Sequence, residues 1–139
     1  MISTKGRYAL RVMVDLAERP GEGFVPLRDI AKRQGISEKY LESILKSLVK
    51  NGLLRGLRGK GGGYKLTRGP EEYTVREILA LTEESLAPVA CLEEGAELCP
   101  RRDICKTLDL WRGLYDMINK YFDGITVADL AAGGGSRDI

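Results

Sequence analysis

From Thr4 to Ala17 the apolar positions Ala9, Val12, Met13, Leu16 and Ala17 recur in steps of three and four, and Pro20-Gly21 ends the run. That is the period of one helix face, so the spacing predicts an amphipathic helix. Leu27, Ile30 and Ala31 mark a short second helix, and Gly35-Ile36 a turn. Ser37 follows as an N-cap, because its hydroxyl can accept from a free amide of the next first turn. Leu41, Ile44, Leu45, Leu48 and Val49 form the apolar face of a third helix, which Asn51-Gly52 stops. The period then shortens. Leu53–Leu57 and Tyr64–Thr67 read as two short strands joined by a glycine-rich tip over Gly59–Gly63.

Beyond the strands, Thr74-Val75-Arg76-Glu77 is the pattern of a capping box, opening a helix that runs to about Leu81. The stretch KTLDLWRGLYDMINKYF carries Leu108, Trp111, Leu114, Tyr115, Ile118, Tyr121 and Phe122 on one stripe and predicts a long helix. GITVADL predicts a turn and a short last helix capped by Thr126, and AAGGGSRDI a loose tail. The expected fold is mainly α with a small β wing: a winged helix-turn-helix followed by a long C-terminal dimerisation helix. The expected division is 1–83 for the winged helix-turn-helix, 84–106 for a cysteine loop, 107–132 for the long helix with the short final one, and 133–139 for the tail. The long helix follows a domain that looks complete, so its stripe needs a partner. Folding back to finish a monomeric core is one answer; pairing with a second copy of the chain is the favoured one.

Charge gives the first half a purpose. Net charge is only +2, but residues 1–70 carry fifteen Lys and Arg against six Asp and Glu, and residues 71–139 carry seven against fourteen. A basic half points to a polyanion. The solvent face of the third helix offers Ser37, Lys39, Tyr40, Glu42, Ser43, Lys46 and Lys50, cations and hydrogen-bonding groups suited to phosphates and base edges. The hairpin adds Arg58 and Lys60 at its tip, with Arg55, Lys65 and Arg68 along it. A nucleotide-binding loop is excluded, since Leu54 stands where the first glycine of G-x-x-x-x-G-K-[ST] belongs and Gly61 where the hydroxyl belongs. Double-stranded DNA is the expected partner.

The chain spends all three of its cysteines, Cys91, Cys99 and Cys105, in one polar segment, CLEEGAELCPRRDIC. The spacing is C-x7-C-x5-C. No apolar run suits a membrane span, and MISTKGRYAL leads into none long enough for a signal peptide, so a cytoplasmic location is expected. There an odd set of thiols is a poor disulfide framework. Soft thiolates favour zinc or an iron–sulfur cluster. A structural zinc site asks for four protein ligands, often in close Cys or His pairs, and this chain has no histidine. A cluster held by three thiolates and a different fourth ligand suits the donor set. A thiol switch tuned by Arg101 and Arg102 stays open beside it. Without histidine there is no Ser-His or Cys-His pair, and the carboxylates form no catalytic arrangement, so an enzyme is not expected.

Taken in order, STKGRYAL, QGISEKYLE, NGLLRGLRGKGGGYKLT, YTVREILALTE, the three cysteines and LWRGLYDMINKYFDGITVADL resemble the Rrf-type family of winged-helix transcription regulators, to which the iron–sulfur cluster regulator IscR belongs. The resemblance covers nearly the whole chain except the tail. It implies a homodimer crossing through the long helix and an iron–sulfur cluster on Cys91, Cys99 and Cys105, 2Fe-2S by analogy with 4Fe-4S as the alternative. It further implies DNA contacts around Tyr40, Glu42 and Arg58, with Glu42 sorting promoters by cluster state. Two departures matter. The first cysteine gap is longer than the family pattern, and the family's histidine ligand falls on Leu108. The aspartate that nitric-oxide-sensing relatives supply from the first helix of the second subunit falls on Arg7. The fourth ligand is therefore open among Glu93, Glu94, Glu97, Asp103, Asp109 and an exogenous group. The expected function is promoter binding under cluster control. The alternatives are a metal-free repressor of the cysteine-metabolism type in the same family, and a zinc-stabilised interaction module.

Overall fold

The computed structural model describes residues 2–21, 23–83 and 85–133. Its elements run α1 (Thr4–Ala17), α2 (Leu27–Gln34), α3 (Glu38–Lys50), β1 (Leu54–Leu57), β2 (Gly63–Leu66), α4 (Val75–Thr82), α5 (Leu108–Asp123) and α6 (Val127–Ala131). Beyond Gly133 the expected tail lies outside the described residues. The periodic apolar positions do what their spacing demands. Ala9, Val12, Met13, Ile30, Leu41, Ile44, Leu45 and Leu48 are fully buried in one core shared by α1, α2 and α3. Each large aliphatic side chain so placed contributes about 1.5–3 kcal/mol of transfer free energy. Gly35 makes the α2–α3 turn possible: it caps α2 in the left-handed region at φ +65°, which side-chain-bearing residues rarely adopt. Ser37 then caps α3, accepting from the Tyr40 amide at 3.3 Å.

β1 and β2 pair antiparallel with Leu54 opposite Leu66 and Leu57 opposite Gly63. β1 starts one residue later than the sequence pattern predicts and β2 is shifted one residue earlier, and the chemistry of Tyr73 explains the end of β2. Thr67 was expected to continue the ladder; instead its amide donates to the phenol of the fully buried Tyr73 at 2.9 Å. The Arg68 amide does the same at 3.0 Å, and the phenol donates to the Leu53 carbonyl at 2.9 Å. One buried hydroxyl thus pins both ends of the hairpin to the core.

Two other expectations are corrected. The capping box at Thr74 is half made: Thr74 accepts from the Glu77 amide at 3.0 Å, but the Glu77 carboxylate grips Arg68 in two bonds of 3.0 and 2.9 Å. A guanidinium forking a carboxylate is the stronger use of that side chain. A complete capping box forms instead at α6 between Thr126 and Asp129. The core, moreover, is not finished by the winged helix alone. Val127 of α6 is fully buried within it, and α6 packs on α1. Main-chain bonds from Val75 to Ile125 (2.9 Å) and from Val127 to Tyr73 (3.0 Å) hold this return in place. α5 lies between, with Tyr115 and Phe122 against a second cluster of Val75, Leu79 and Leu86. No helix among the described residues is long and apolar enough to cross a membrane.

Among the described residues Asp15 is the one buried charged side chain, 1% exposed. Arg33 holds it with bonds of 3.0 and 2.7 Å, Gln34 with one of 2.8 Å, and Arg19 stands 3.5 Å away. Burial alone would raise its pKa, but the hydrogen bonds from Arg33 and Gln34 and the charges of Arg33 and Arg19 outweigh that and lower it. Asp15→Asn should therefore cost about 2 kcal/mol at neutral pH, read as a lower urea midpoint. A depressed folded pKa means the stabilisation is present above the ordinary carboxylate value and lost as pH falls through the folded one. The gap between variant and wild type should accordingly close in acid.

Candidate nucleic-acid interface and thiol pocket

Because the apolar face of α3 is buried, its other face has nowhere to go but outward. Ser37, Lys39, Tyr40, Glu42, Ser43 and Lys46 are all exposed, as are Arg58 and Lys60 on the wing. An open groove of about 880 Å³ separates α3 from the wing, and its lining includes Glu42, Lys46, Lys50 and Arg58. Ser37, Lys39, Tyr40, Ser43 and Lys60 are not part of that lining. Arg28 is, and sequence reading missed it. Its side chain is 81% exposed at the start of α2, and nothing in its local pattern shows that the hairpin folds over beside it.

The groove is braced from behind. Tyr40 meets Tyr8 edge-on with ring centroids 5.7 Å apart, and the Arg11 guanidinium lies 5.1 Å from the Tyr8 ring centre. Arg11 also donates to the side chain of Gln34 at 3.1 Å and to its backbone carbonyl. Gln34 in turn holds Asp15, so one polar chain runs from α3 through α1 to α2 and fixes the angle of the outward face. Within that face Lys46 pairs with Glu42 at 3.4 Å, and the Ser43 hydroxyl donates to the Tyr40 carbonyl at 2.7 Å. Two cations expected along the hairpin are occupied. Arg68 is spent on Glu77 and lies over the Tyr73 ring at 4.5 Å; Lys65 lies over Phe24 at 4.8 Å. Arg55, Arg58 and Lys60 are the wing cations left exposed.

The cysteine segment is built differently. Apart from a single helical turn over Ala90–Leu92 it is irregular, and its backbone bonds are local turns such as Ala96 to Glu93 (3.1 Å) and Arg102 to Cys99 (3.0 Å). Cys91 and Cys99 are exposed and Cys105 half-buried, all three as free thiols. They line one pocket of about 160 Å³ together with Leu108 and Arg112 of α5. Among the described residues no three His, Cys, Asp or Glu side chains stand together closely enough to hold a metal ion in this arrangement. The donor set nevertheless fits a soft-metal group: three thiols line one pocket, and the backbone bonds between them are local turns.

Cys105 is the best prepared of the three. It sits at the N-terminal end of α5, 3.4 Å from the Thr107 hydroxyl. That hydrogen bond, then the backbone amide of Thr107, lower its pKa against a small opposing effect of burial, with the Leu108 amide and the Arg101 charge helping. Thiols at helix N-termini beside cations are held toward the thiolate in this way. Thr107 therefore serves the thiol, not the helix cap, where it makes no side-chain bond. Of the five carboxylates open as a fourth ligand, Glu97 alone lines the thiol pocket.

The long helix shows two apolar faces where its spacing predicts one stripe. Trp111, Tyr115, Ile118 and Phe122 are half-buried, while Leu110, Leu114, Met117 and Tyr121 are exposed at 61, 38, 70 and 49%. Leu110 and Met117 were absent from the expected stripe, because two overlapping faces blur a single helical period.

A helix-turn-helix with a basic wing, an outward polar third helix and a groove between them defines a DNA-binding transcription regulator, and comparison with known proteins agrees. The Rrf2 profile, described as an iron-dependent transcriptional regulator, matches residues 2–133, and the chain belongs to this family. Its relatives are regulators, not enzymes. The HTH-type transcriptional regulator IscR of Pectobacterium atrosepticum is 43% identical over 129 residues, covering 93% of this chain and 77% of the relative. Among solved structures, T. potens IscR superposes with a TM-score of 0.74 at 36% identity, covering 95% of this chain and 86% of the other. CymR, the global cysteine regulator of B. subtilis, gives 0.77 at 36%, covering 95% and 96%.

Gly63 seats the wing. A Cβ there would stand 2.1 Å from the Val25 carbonyl oxygen, at a φ of +149°. Val25 and Tyr64 exchange two backbone bonds of 2.9 Å across that contact. Gly63→Ala should break this bridge and cost roughly 1–3 kcal/mol of local stability. Amide exchange at Val25 and Tyr64 should accelerate while the α1 core stays protected; equal protection in the variant would contradict the role given to this glycine.

Proposed function

We propose that the chain is a homodimeric bacterial regulator that acts in the cytoplasm and binds promoter DNA under the control of an iron–sulfur cluster held by Cys91, Cys99 and Cys105. The observation that carries this reading is the meeting of every cysteine of the chain at one pocket against the start of α5. An iron–sulfur cluster bound there would supply a bridge between the three thiolates that depends on iron and on redox state. We take it as 2Fe-2S by analogy with the cluster-binding relatives, 4Fe-4S being the alternative. The targets expected by family are genes of cluster assembly, iron handling or sulfur metabolism.

The chain's own residues do the rest. Cys105, joined to α5 through Thr107, transmits the ordering of the loop from Ala90 to Lys106 into the long helix. The exposed stripe Leu110, Leu114, Met117 and Tyr121 repeats at alternating steps of four and three, the spacing that pairs two helices. Pairing two copies there presents two winged helices at a fixed separation. Ser37, Lys39, Tyr40, Glu42, Ser43 and Lys46 face the major groove in this reading, while Arg58 and Lys60 reach phosphates. By resemblance to the IscR-like regulators, Glu42 tunes which promoters are bound with and without the cluster; its carboxylate pairs with Lys46.

A second reading has a specific observation behind it. Similarity to CymR and the lowered pKa of Cys105 support a regulator that works through thiol chemistry with no cluster. Colour separates the two. Protein reconstituted anaerobically with iron and sulfide should absorb in the visible and carry stoichiometric iron, and Cys91→Ala, Cys99→Ala and Cys105→Ala should each abolish this. Colourless wild-type protein after reconstitution would leave the thiol reading standing. Dimerisation has its own check. Met117→Glu with Leu114→Glu alters only exposed positions, and should give a folded monomer by sedimentation. Loss of the second half-site should weaken promoter binding by roughly two orders of magnitude.

A further inference from the structure

Three thiolates leave an iron–sulfur cluster one ligand short, and the chain has no histidine to complete the set. Five carboxylates lie near enough in sequence to be considered, and the fold sorts them. Glu93 lines a separate pocket beside Ile2, Ser3 and Glu83. Glu94 lines another, facing Arg76, Tyr115 and Asn119. Asp109 points into solvent, its side chain 98% exposed and 3.9 Å from Arg112. Asp103 lines neither the thiol pocket nor its neighbours. Glu97 shares the pocket with Cys91, Cys99 and Cys105.

From this sorting we infer that Glu97 is the fourth ligand, binding through a carboxylate oxygen the iron that the thiolates leave incomplete; the inference rests on the cluster reading above. Three further observations favour it. Glu97 makes no hydrogen bond or ion pair with any described residue, so ligation displaces nothing. It stands two positions before Cys99, in the same irregular segment, so the turn that moves one donor moves both. Arg102 and Arg112 line the same pocket. A carboxylate makes the ligand set more negative than an imidazole would, and these two guanidiniums supply the compensating charge, as neighbouring cations do for any anionic group in a partly enclosed site.

The chemistry of the donor has consequences. A carboxylate is a harder and more weakly held ligand for iron among thiolates than an imidazole. The site would then be a labile one, giving up iron when the ion is scarce while the three thiolates keep their places. Lability becomes a property of one side chain on the loop, not of the loop as a whole.

The test is spectroscopic and uses the whole 139-residue chain. Wild type, Glu97→Gln, Glu97→Asp and Glu97→Cys are reconstituted anaerobically with iron and sulfide, alongside Glu93→Gln, Glu94→Gln, Asp103→Asn and Asp109→Asn. Paramagnetic resonance of the dithionite-reduced cluster reports the ligand set, and the rate of iron loss to a chelator reports its hold. Glu97→Gln should shift the resonance and release iron roughly ten to one hundred times faster, the range typical of damage to a metal's ligand environment. Glu97→Asp should restore most of the wild-type signal, Glu97→Cys should slow the loss below wild type, and the other four should match wild type. Wild-type protein that forms no cluster sinks the functional reading and this inference with it. A wild type that forms one, with Glu97→Gln unchanged in both signal and release, overturns this inference alone and places the fourth donor on the second subunit or in solvent.

Discussion

Two main-chain hydrogen bonds, from Val75 to Ile125 and from Val127 to Tyr73, turn a helix-turn-helix with an appendage into a single lever. They return the chain to the core after α5 and let Val127 complete it. The long helix is thereby anchored at its C-terminal end, while its N-terminal half carries Leu108 and Arg112 to the thiol pocket. Tyr115 and Phe122 add a second hold on the same helix through Val75, Leu79 and Leu86. In the proposed function this is the route by which a change at Cys105 reaches the body that holds α3 and the wing.

The rest of the molecule is arranged around the same division between rigid and responsive parts. On the DNA side, polar contacts are over-determined: Asp15, Arg33, Gln34, Arg11, Tyr8 and Tyr40 form a continuous brace, and the Tyr73 phenol gathers the ends of the hairpin. On the thiol side the backbone makes only local turns, and Leu98 and Ile104 stand exposed at 74 and 64%. A segment with few tertiary contacts is cheap to reorder. Coupling between it and the DNA face need supply only about 1–3 kcal/mol to change promoter occupancy several-fold.

How much of this was legible in the sequence depended on whether the signal was local. The periodic runs at Val12–Leu16 and Leu41–Leu48 gave their helices because each reads out one buried face, and Ser37 and Thr126 showed as caps because capping is decided within three residues. Glu77 misled for the complementary reason: its capping role is local, but Arg68, nine residues away in sequence, offered a better bond. The same blindness hid Arg28, the two faces of α5, the role of Val127 in the core and the Asp15 brace, all of which arise from elements meeting in space. The three cysteines stood out through what surrounds them, a polar loop where no apolar pattern claimed them, and the structure added which carboxylate shares their pocket.

The central claim is that one site in the loop governs affinity at another on α3 and the wing, and it is tested most directly by one preparation measured twice on one promoter fragment. Affinity is determined anaerobically with the cluster in place and again after its removal by chelation, at fixed salt. The account predicts that the two dissociation constants differ by about fivefold or more, the lower end of ordinary allosteric coupling. Equal affinity in both states, from a protein that demonstrably carried and lost its iron, would contradict it.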